Sequence, residues 1–211
     1  MFGIASMGKT LDTIKGKYIA AHAADLVQMG FSSVGLYYFE QSNIKDLLTR
    51  DIAISCSQAG LFVYAYYENG FPIKATYFTA QRGYADAHSA YRRAVAAGQP
   101  AGKPIRFTVD YDAPVDDLLV IETYFRSILD TLESLKPVYA PAVYGSWRVI
   151  QHLRAANLVK NDTLAQSTEW AGYDAGRQQA QIIQGPETRV LEILADVGTT
   201  NGNAGGWQVH G

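Results

Sequence analysis

Two rhythms of apolar residues alternate along this chain. Runs rich in β-branched and aromatic residues, the mark of strands, occupy Ser32 to Phe39 (SSVGLYYF), Gly60 to Gly70 (GLFVYAYYENG), Lys103 to Asp112 (KPIRFTVDYD) and Val138 to Ser146 (VYAPAVYGS). Weaker strand signals begin at Thr163 (TLAQSTEW), Ala180 (AQIIQG) and Arg189 (RVLEILADV), and a short opening strand is expected at or just before Lys9 to Thr13. Between these runs the apolar positions recur at helical spacing. Ile19, Ala23, Leu26 and Val27 form one such stripe, stopped by Gly30. Leu48, Ile52 and Cys56 form another, from about Thr49 to Gly60. Tyr84 to Ala97 closes at Gly98, and Leu118, Ile121, Phe125, Ile128, Leu129 and Leu132 make the clearest stripe, with Asp116 and Asp117 at its start, where carboxylates favour the helix dipole. Trp147 to Leu158 reads as a fifth helix and Ala175 to Gln179 as one short turn.

Strand and helix in alternation imply a parallel sheet, and the nearly continuous apolar runs imply that both its faces are covered. Two architectures fit: an open doubly wound sheet and a closed barrel of about eight strands. No Gly-rich loop follows the first strand, which disfavours a dinucleotide fold. At 211 residues a barrel would lie near the lower bound of roughly 200, so short helices and a missing one late in the chain are expected. Residues 198–206 (GTTNGNAGG) read as a flexible tail.

The candidate chemistry lies in carboxylates at strand ends. Asp110 and Asp112 close the third strong strand, and alternation along a strand would turn both to one face. Asp12 follows the opening strand, Glu68 follows VYAYY and Asp196 lies in LEILADV. Acids at a barrel mouth cost desolvation energy and need a reason, although Asp112 could lead into the next helix and Asp110 could pair with Arg106 or Arg148. Composition removes the competitors. Eighteen Lys plus Arg against twenty Asp plus Glu leave a net charge of −2, without the basic face that nucleic-acid binding needs. The single cysteine, Cys56, excludes an intrachain disulfide and a cysteine metal cluster, and His22, His88, His152 and His210 are too scattered for a metal pair, so no metal and no cofactor are expected. Ser146 in VYGSWR lacks the glycine-framed nucleophile elbow. Asn161 in NDT fits a glycosylation acceptor, a pattern common by chance. What remains suits glycoside hydrolysis, in which one carboxyl gives a proton and a second supports the oxocarbenium-like centre or activates water. Tyr66, Tyr144 and Trp170 would hold sugar rings.

The order LDT, GLFVYAYYE, GQPAGKPIRFTVDYDA, PAVYGSWRVI, IIQG and ILADVGTTN resembles the glycoside-hydrolase-like domain of unknown function 1906, grouped with the family-25 lysozymes, over about Leu11 to Asn201. Its most specific piece is GQPAGKPIRFTVDYDA. The resemblance implies an α/β fold, a (β/α)8 TIM-type barrel over residues 1–211 as one compact domain, irregular late in the chain. It places Asp12 on the first strand, Asp110 and Asp112 on the fourth, Tyr144 at the end of the fifth, Gln184 near the seventh and Asp196 on the eighth, with either Gln166 or Trp170 at the mouth of the sixth. In the lysozymes the fourth strand ends Asp-x-Glu, with the glutamate as proton donor. Asp112 occupies that position here and is one methylene shorter, a difference that an adjacent group such as Glu68 could compensate. The expectation is a muramidase-type hydrolase of peptidoglycan, with Asp112 as acid, Asp110 as stabiliser or base, and Asp12 and Asp196 in support; the alternative is a barrel that binds glycan without cutting it, or a scaffold domain of a cell-wall-associated assembly. The opening MFGIASMGKT is too short and too polar for a secretory signal, and no run approaches the ~18 apolar residues of a membrane span. A monomer acting outside the cytoplasm, at the cell wall or in the periplasm, is expected.

Overall fold

The structure, a computed structural model, describes residues 7–39, 47–202 and 204–209. The first six residues, invoked in the reading of the N-terminus, and His210 lie outside the described residues. The expected opening strand is β1 Met7–Asp12, and the four strong apolar runs form β2 Phe31–Tyr38, β3 Phe62–Tyr67, β4 Pro104–Thr108 and β5 Ala140–Gly145. The weaker runs give β6 Asn161–Leu164, β7 Ile182–Ile183, β8 Glu187–Val190 and β9 Ile193–Asn201. Strands β1 to β7 pair in sequence order, all parallel. Strand β9 then pairs with both β7 and β1 and closes an eight-strand barrel, with β8 as its hairpin partner outside the ring.

The last step corrects the all-parallel expectation: β9 runs antiparallel to both neighbours. The region read as one strand from Arg189 is two strands joined at Leu191, which adopts a left-handed conformation (φ 54°). The late irregularity is otherwise as expected. Helices α1 Gly16–Ala21 and α2 Ala23–Gln28 follow β1, while α3 Arg50–Ala59, α4 Ala80–Ala97, α5 Leu118–Ser134 and α6 Trp147–Ala155 each follow one strand. After β6 there is only α7 Tyr173–Gly176, and β7 leads directly to the hairpin.

Two apolar layers result. Val34, Leu36, Val63, Ala65, Ile105, Phe107 and Val143 point outward and are sealed by the helices. Tyr64, Tyr66, Ile182 and Ala204 fill the barrel interior, with Tyr37 and Tyr144 above them. Gly35 makes that interior possible: a Cβ there would lie 2.5 Å from the Tyr64 ring and 2.7 Å from both the Tyr66 ring and the Asp12 side chain. Arg106 is wholly buried below, with its guanidinium 4.8 Å from the Tyr64 ring centre, Nε donating to Thr163 Oγ1 at 3.1 Å and Nη2 donating to the Ala204 carbonyl.

That last contact overturns the reading of a flexible tail. Residues 198–201 belong to β9, and Ala204, Trp207 and Val209 are buried. Trp207 exchanges two 2.8 Å backbone hydrogen bonds with Val63, and Val209 N donates to Ser57 Oγ at 2.9 Å. Gly202 (φ 62°) and Gly205 (φ 79°) turn the chain under the barrel, and the apolar residues plug it. Cys56 is buried in α3 and burial pushes its thiol up to about 12, as suits an inert core group.

Helix termini follow local chemistry. Thr49 and Ser146 cap α3 and α6, and Thr79 Oγ1 accepts from Arg82 N at 3.1 Å to cap α4, which starts four residues before the expected Tyr84. Replacing Thr79 by alanine removes this bond. The expected cost is ~1 kcal/mol in urea unfolding; an unchanged midpoint would show that the cap contributes nothing.

Candidate active site

The C-terminal ends of the parallel strands gather most of the expected residues. Asp12 ends β1, Glu68 directly follows β3, Asp110 lies two residues beyond β4, Tyr144 is in β5 and Gln184 directly follows β7. Asp196 joins them because β9 is antiparallel: Asp12 and Asp196 are register partners, so the early part of β9 meets the end of β1.

One glutamine organises the floor. Gln184 Nε2 donates to Asp12 Oδ2 at 3.0 Å and to Asp196 Oδ2 at 3.2 Å, while its Oε1 accepts from the Tyr144 hydroxyl at 2.8 Å and from Gln166 N at 3.3 Å. Gln166 Nε2 reaches Asp196 Oδ1 at 3.4 Å, and Tyr37 donates to Asp12 Oδ2 at 3.3 Å. Asp12 is buried, and burial first, then the charge of Asp196, pushes its carboxyl up to about 8. Burial also raises Asp196, which is half-buried. Beside this floor a cleft of about 180 Å³ is lined by Asp12, Thr13, Ile14, Tyr37, Glu187 and Asp196, among others.

Glu68 and Asp110 form a second acidic pair. Both are half-buried, and burial raises both carboxyls. Glu68 is pushed up to about 7, by burial first and by the charge of Asp110 second. Tyr37 on β2, Tyr144 on β5 and the two acids after β3 and β4 share the space at the ends of these neighbouring strands, and burial first, with the acids' charges among the later causes, raises both phenols.

Asp112 is not in this space. The alternation argument assumed a strand through Asp112, but β4 ends at Thr108. Asp110 N turns to the Pro72 carbonyl at 2.9 Å, and Ala113 N bonds back to the Tyr111 carbonyl, so the chain bends at Tyr111 and swings Asp112 outward. Its carboxylate is exposed, accepts from Ala171 N at 3.1 Å and lies 3.8 Å from Arg148 Nη1, which also donates to the Ala113 carbonyl at 2.8 Å. Arg148 is thus engaged with Asp112 and its loop, and Arg106 with Thr163 and Ala204, rather than with Asp110.

Tyr66 also departs from expectation. It is fully buried, with ring centres 5.1 Å from Tyr37 and 5.9 Å from Tyr144 and its hydroxyl on Thr163 Oγ1 at 3.3 Å, so it offers no open stacking face. It props the two tyrosines above it. At the sixth strand Gln166 meets the floor, while half-buried Trp170 sits in the loop beside Ala171, on the Asp112 side of the rim. Sequence reasoning missed Tyr37, although Ser33, Gly35 and Tyr37 form an inward row at period two in SSVGLYYF. Among the described residues, no group of three or more His, Cys, Asp and Glu could hold a metal ion, and no helix is long and apolar enough to cross a membrane.

Comparison with known proteins agrees with this architecture. The family model described as the Rv2525c-like glycoside hydrolase-like domain matches residues 24–203. The fold is similar to that of the Tat-secreted protein Rv2525c of Mycobacterium tuberculosis solved with L-tartrate, at 20% identity and a TM-score of 0.78 over 96% of this chain and 100% of that one. It is also similar to a muramidase from Trichobolus zukalii, at 14% identity and 0.61 over 92% and 94% of the two chains. The autolysin LytC of Streptococcus pneumoniae, solved with a synthetic peptidoglycan ligand, gives 13% identity and 0.59 over 92% of this chain and 46% of that one. At these identities the likeness is one of fold. No functionally curated protein matches the sequence.

Proposed function

The chain belongs to the Rv2525c-like glycoside hydrolase-like domain family, and from that premise we propose that it is a muramidase-type glycoside hydrolase of peptidoglycan whose proton donor is Glu68. The observation that carries this reading is the half-buried Glu68 carboxyl at the mouth, held protonated to about pH 7 beside a second acid, Asp110. A donor must be neutral at working pH and its partner charged, and two acids sharing a poorly solvated space divide those roles. Glu68 gives its proton to the glycosidic oxygen, the C1–O bond breaks with its electron pair going to that oxygen, and Asp110 opposes the positive charge growing at C1. Water then adds at C1 and gives a proton to the Glu68 carboxylate, which restores the donor. Half-buried Asp196 offers acceptor oxygens to sugar hydroxyls from a floor that buried Gln184 and Asp12 hold in place, and Tyr37, Tyr144 and Trp170 supply apolar walls. The muramidase and autolysin neighbours support peptidoglycan as the substrate class, and the Tat secretion of Rv2525c supports action outside the cytoplasm.

Asp112 takes a different part, tying the loop after β4 to Ala171 and Arg148. Asp112→Asn is expected to keep turnover within about threefold and to shift stability by less than ~1 kcal/mol, as for other exposed ion pairs. Reducing-end release from purified cell-wall glycan tests the main reading. No release from well-folded protein over the range pH 4–8 would reject it.

The outward turn of Asp112, at the position that carries the donor in lysozymes, favours one other reading: a barrel that binds glycan without cutting it. Calorimetry with soluble glycan fragments separates the two, since binding heat without released reducing ends selects the binding module.

A further inference from the structure

Helix α4 buries Gly83, Asp86, Ala87, Ala90, Ala94 and Ala97 along one face, and Asp86 is the charged residue in that row. A carboxylate there is tolerable only when fully partnered. Arg82 Nε donates to both its oxygens at 3.0 Å, the Tyr124 hydroxyl to Oδ2 at 2.8 Å and the Tyr67 hydroxyl to Oδ1 at 3.3 Å. The Tyr77 hydroxyl lies 2.9 Å from Asp86 Oδ2 and 2.9 Å from the Asn69 carbonyl, sharing its single proton between them. Arg82 Nη2 also donates to the Asn69 carbonyl, and its guanidinium carbon sits 4.6 Å from the Tyr77 ring centre.

Asn69 directly follows Glu68, and the segment it opens ends at the other acid. Gly70 turns the chain with φ +89°, and three residues beyond Asn69 the Pro72 carbonyl accepts from Asp110 N at 2.9 Å. One short loop therefore connects the backbones of both acids, and the Asp86 cluster fixes its first carbonyl to α4 and α5. We propose that Asp86, acting through Arg82 and Tyr77, is a positioning residue that holds Glu68 against Asp110 at the barrel mouth. The inference rests on the reading of Glu68 and Asp110 as the working pair. Asp86 touches no substrate; it sets where the donor stands.

The titratable groups whose charges are coupled to that of Glu68 are Asp110, Tyr37 and Tyr144. With the loop released, Glu68 swings toward water and away from Asp110, and both causes of its raised proton affinity weaken together. The test uses the full chain labelled with 13C at glutamate carboxyls, with Glu68→Gln assigning the signal, and hydrogen exchange at the Asp110 amide. Asp86→Asn puts an amide among four donors and could fail to fold, so Tyr77→Phe, which keeps the ring, is measured beside it. In folded Tyr77→Phe we expect the Glu68 midpoint to fall by at least one pH unit and the Asp110 amide to exchange at least tenfold faster. A Glu68 midpoint and an Asp110 exchange rate both equal to wild type would overturn the proposal. Neither readout needs substrate, so absent turnover in wild type, which would sink the muramidase reading, leaves this test decisive.

Discussion

Glu68→Gln is expected to lower reducing-end release from peptidoglycan by about 10²–10⁴-fold, the usual contribution of a positioned general acid. Glutamine has the shape of the protonated acid and keeps its hydrogen-bonding outline, but it cannot release a proton to the leaving oxygen. Because Glu68 is neutral below about pH 7, the substitution introduces no new buried charge and removes none there. Below about pH 4.5, where the carboxyl is neutral in the unfolded chain as well, the melting temperature should stay within a degree or two of wild type, which separates loss of chemistry from loss of fold; at higher pH the variant should be the more stable, because wild type releases this proton on unfolding. Wild-type activity should fall as pH rises through about 7, where the donor loses its proton. It should also fall at low pH, where Asp110, itself raised by burial, becomes neutral and no longer opposes positive charge at C1. In Glu68→Gln the residual rate should lose the high-pH limb. Full activity in that variant, or an unchanged high-pH limb, would assign the donor elsewhere.

The barrel was readable in the sequence where local chemistry decides the outcome. The runs at Ser32, Gly60, Lys103 and Val138 are apolar because both faces of those strands are covered, and Thr49 and Gly60 bracket α3 as a cap and a left-handed stop should. What could not be read depends on contacts made by distant residues. Strand direction leaves no trace in periodicity, so the antiparallel β9 was hidden, and the hairpin turn at Leu191 carries no glycine to announce it. Residues 198–206 looked loose because their glycines were legible and the pairing of Trp207, just beyond them, with Val63 far back in sequence was not. The same cause misplaced Asp112. Its alternation with Asp110 is real in the sequence, but β4 ends at Thr108, four residues early, and Asp110 N turns to the Pro72 carbonyl. Glu68 gained from this what Asp112 lost, since the loop that bends β4 is the one that follows Glu68. Asp86 sits in an Ala-rich helix whose pattern gives no hint that three tyrosines and an arginine converge on it.

Asp12→Asn is expected to make the protein more stable than wild type at pH 8, and this is the largest stability effect to be found at the mouth. Asp12 ionises near 3.8 in the unfolded chain and at about 8 in the folded one. Between those values the native state holds a proton that the unfolded state has released. Native protein binds more protons, so stability must fall as pH rises across that window. The contribution is fully present below about pH 4 and gone above about pH 8. Each unit of separation corresponds to ~1.4 kcal/mol, and with water entering the cleft beside Asp12 we expect a net loss of about 2–5 kcal/mol. Asparagine removes this term without emptying the site. Its carbonyl can accept from Gln184 Nε2 and Tyr37, as Asp12 Oδ2 does, and its amide can face Asp196 as the protonated acid would. Urea unfolding at pH 4.5, 6 and 8 measures the difference. The two proteins should agree within ~1 kcal/mol at pH 4.5 and diverge progressively, with the variant ahead at pH 8. Asp196, Asp110 and Glu68 are raised as well, so the variant keeps a smaller slope of the same sign. Parallel curves at all three pH values would mean that Asp12 is charged in the folded protein, and that Gln184 bridges its carboxylate, not its neutral acid, to Asp196.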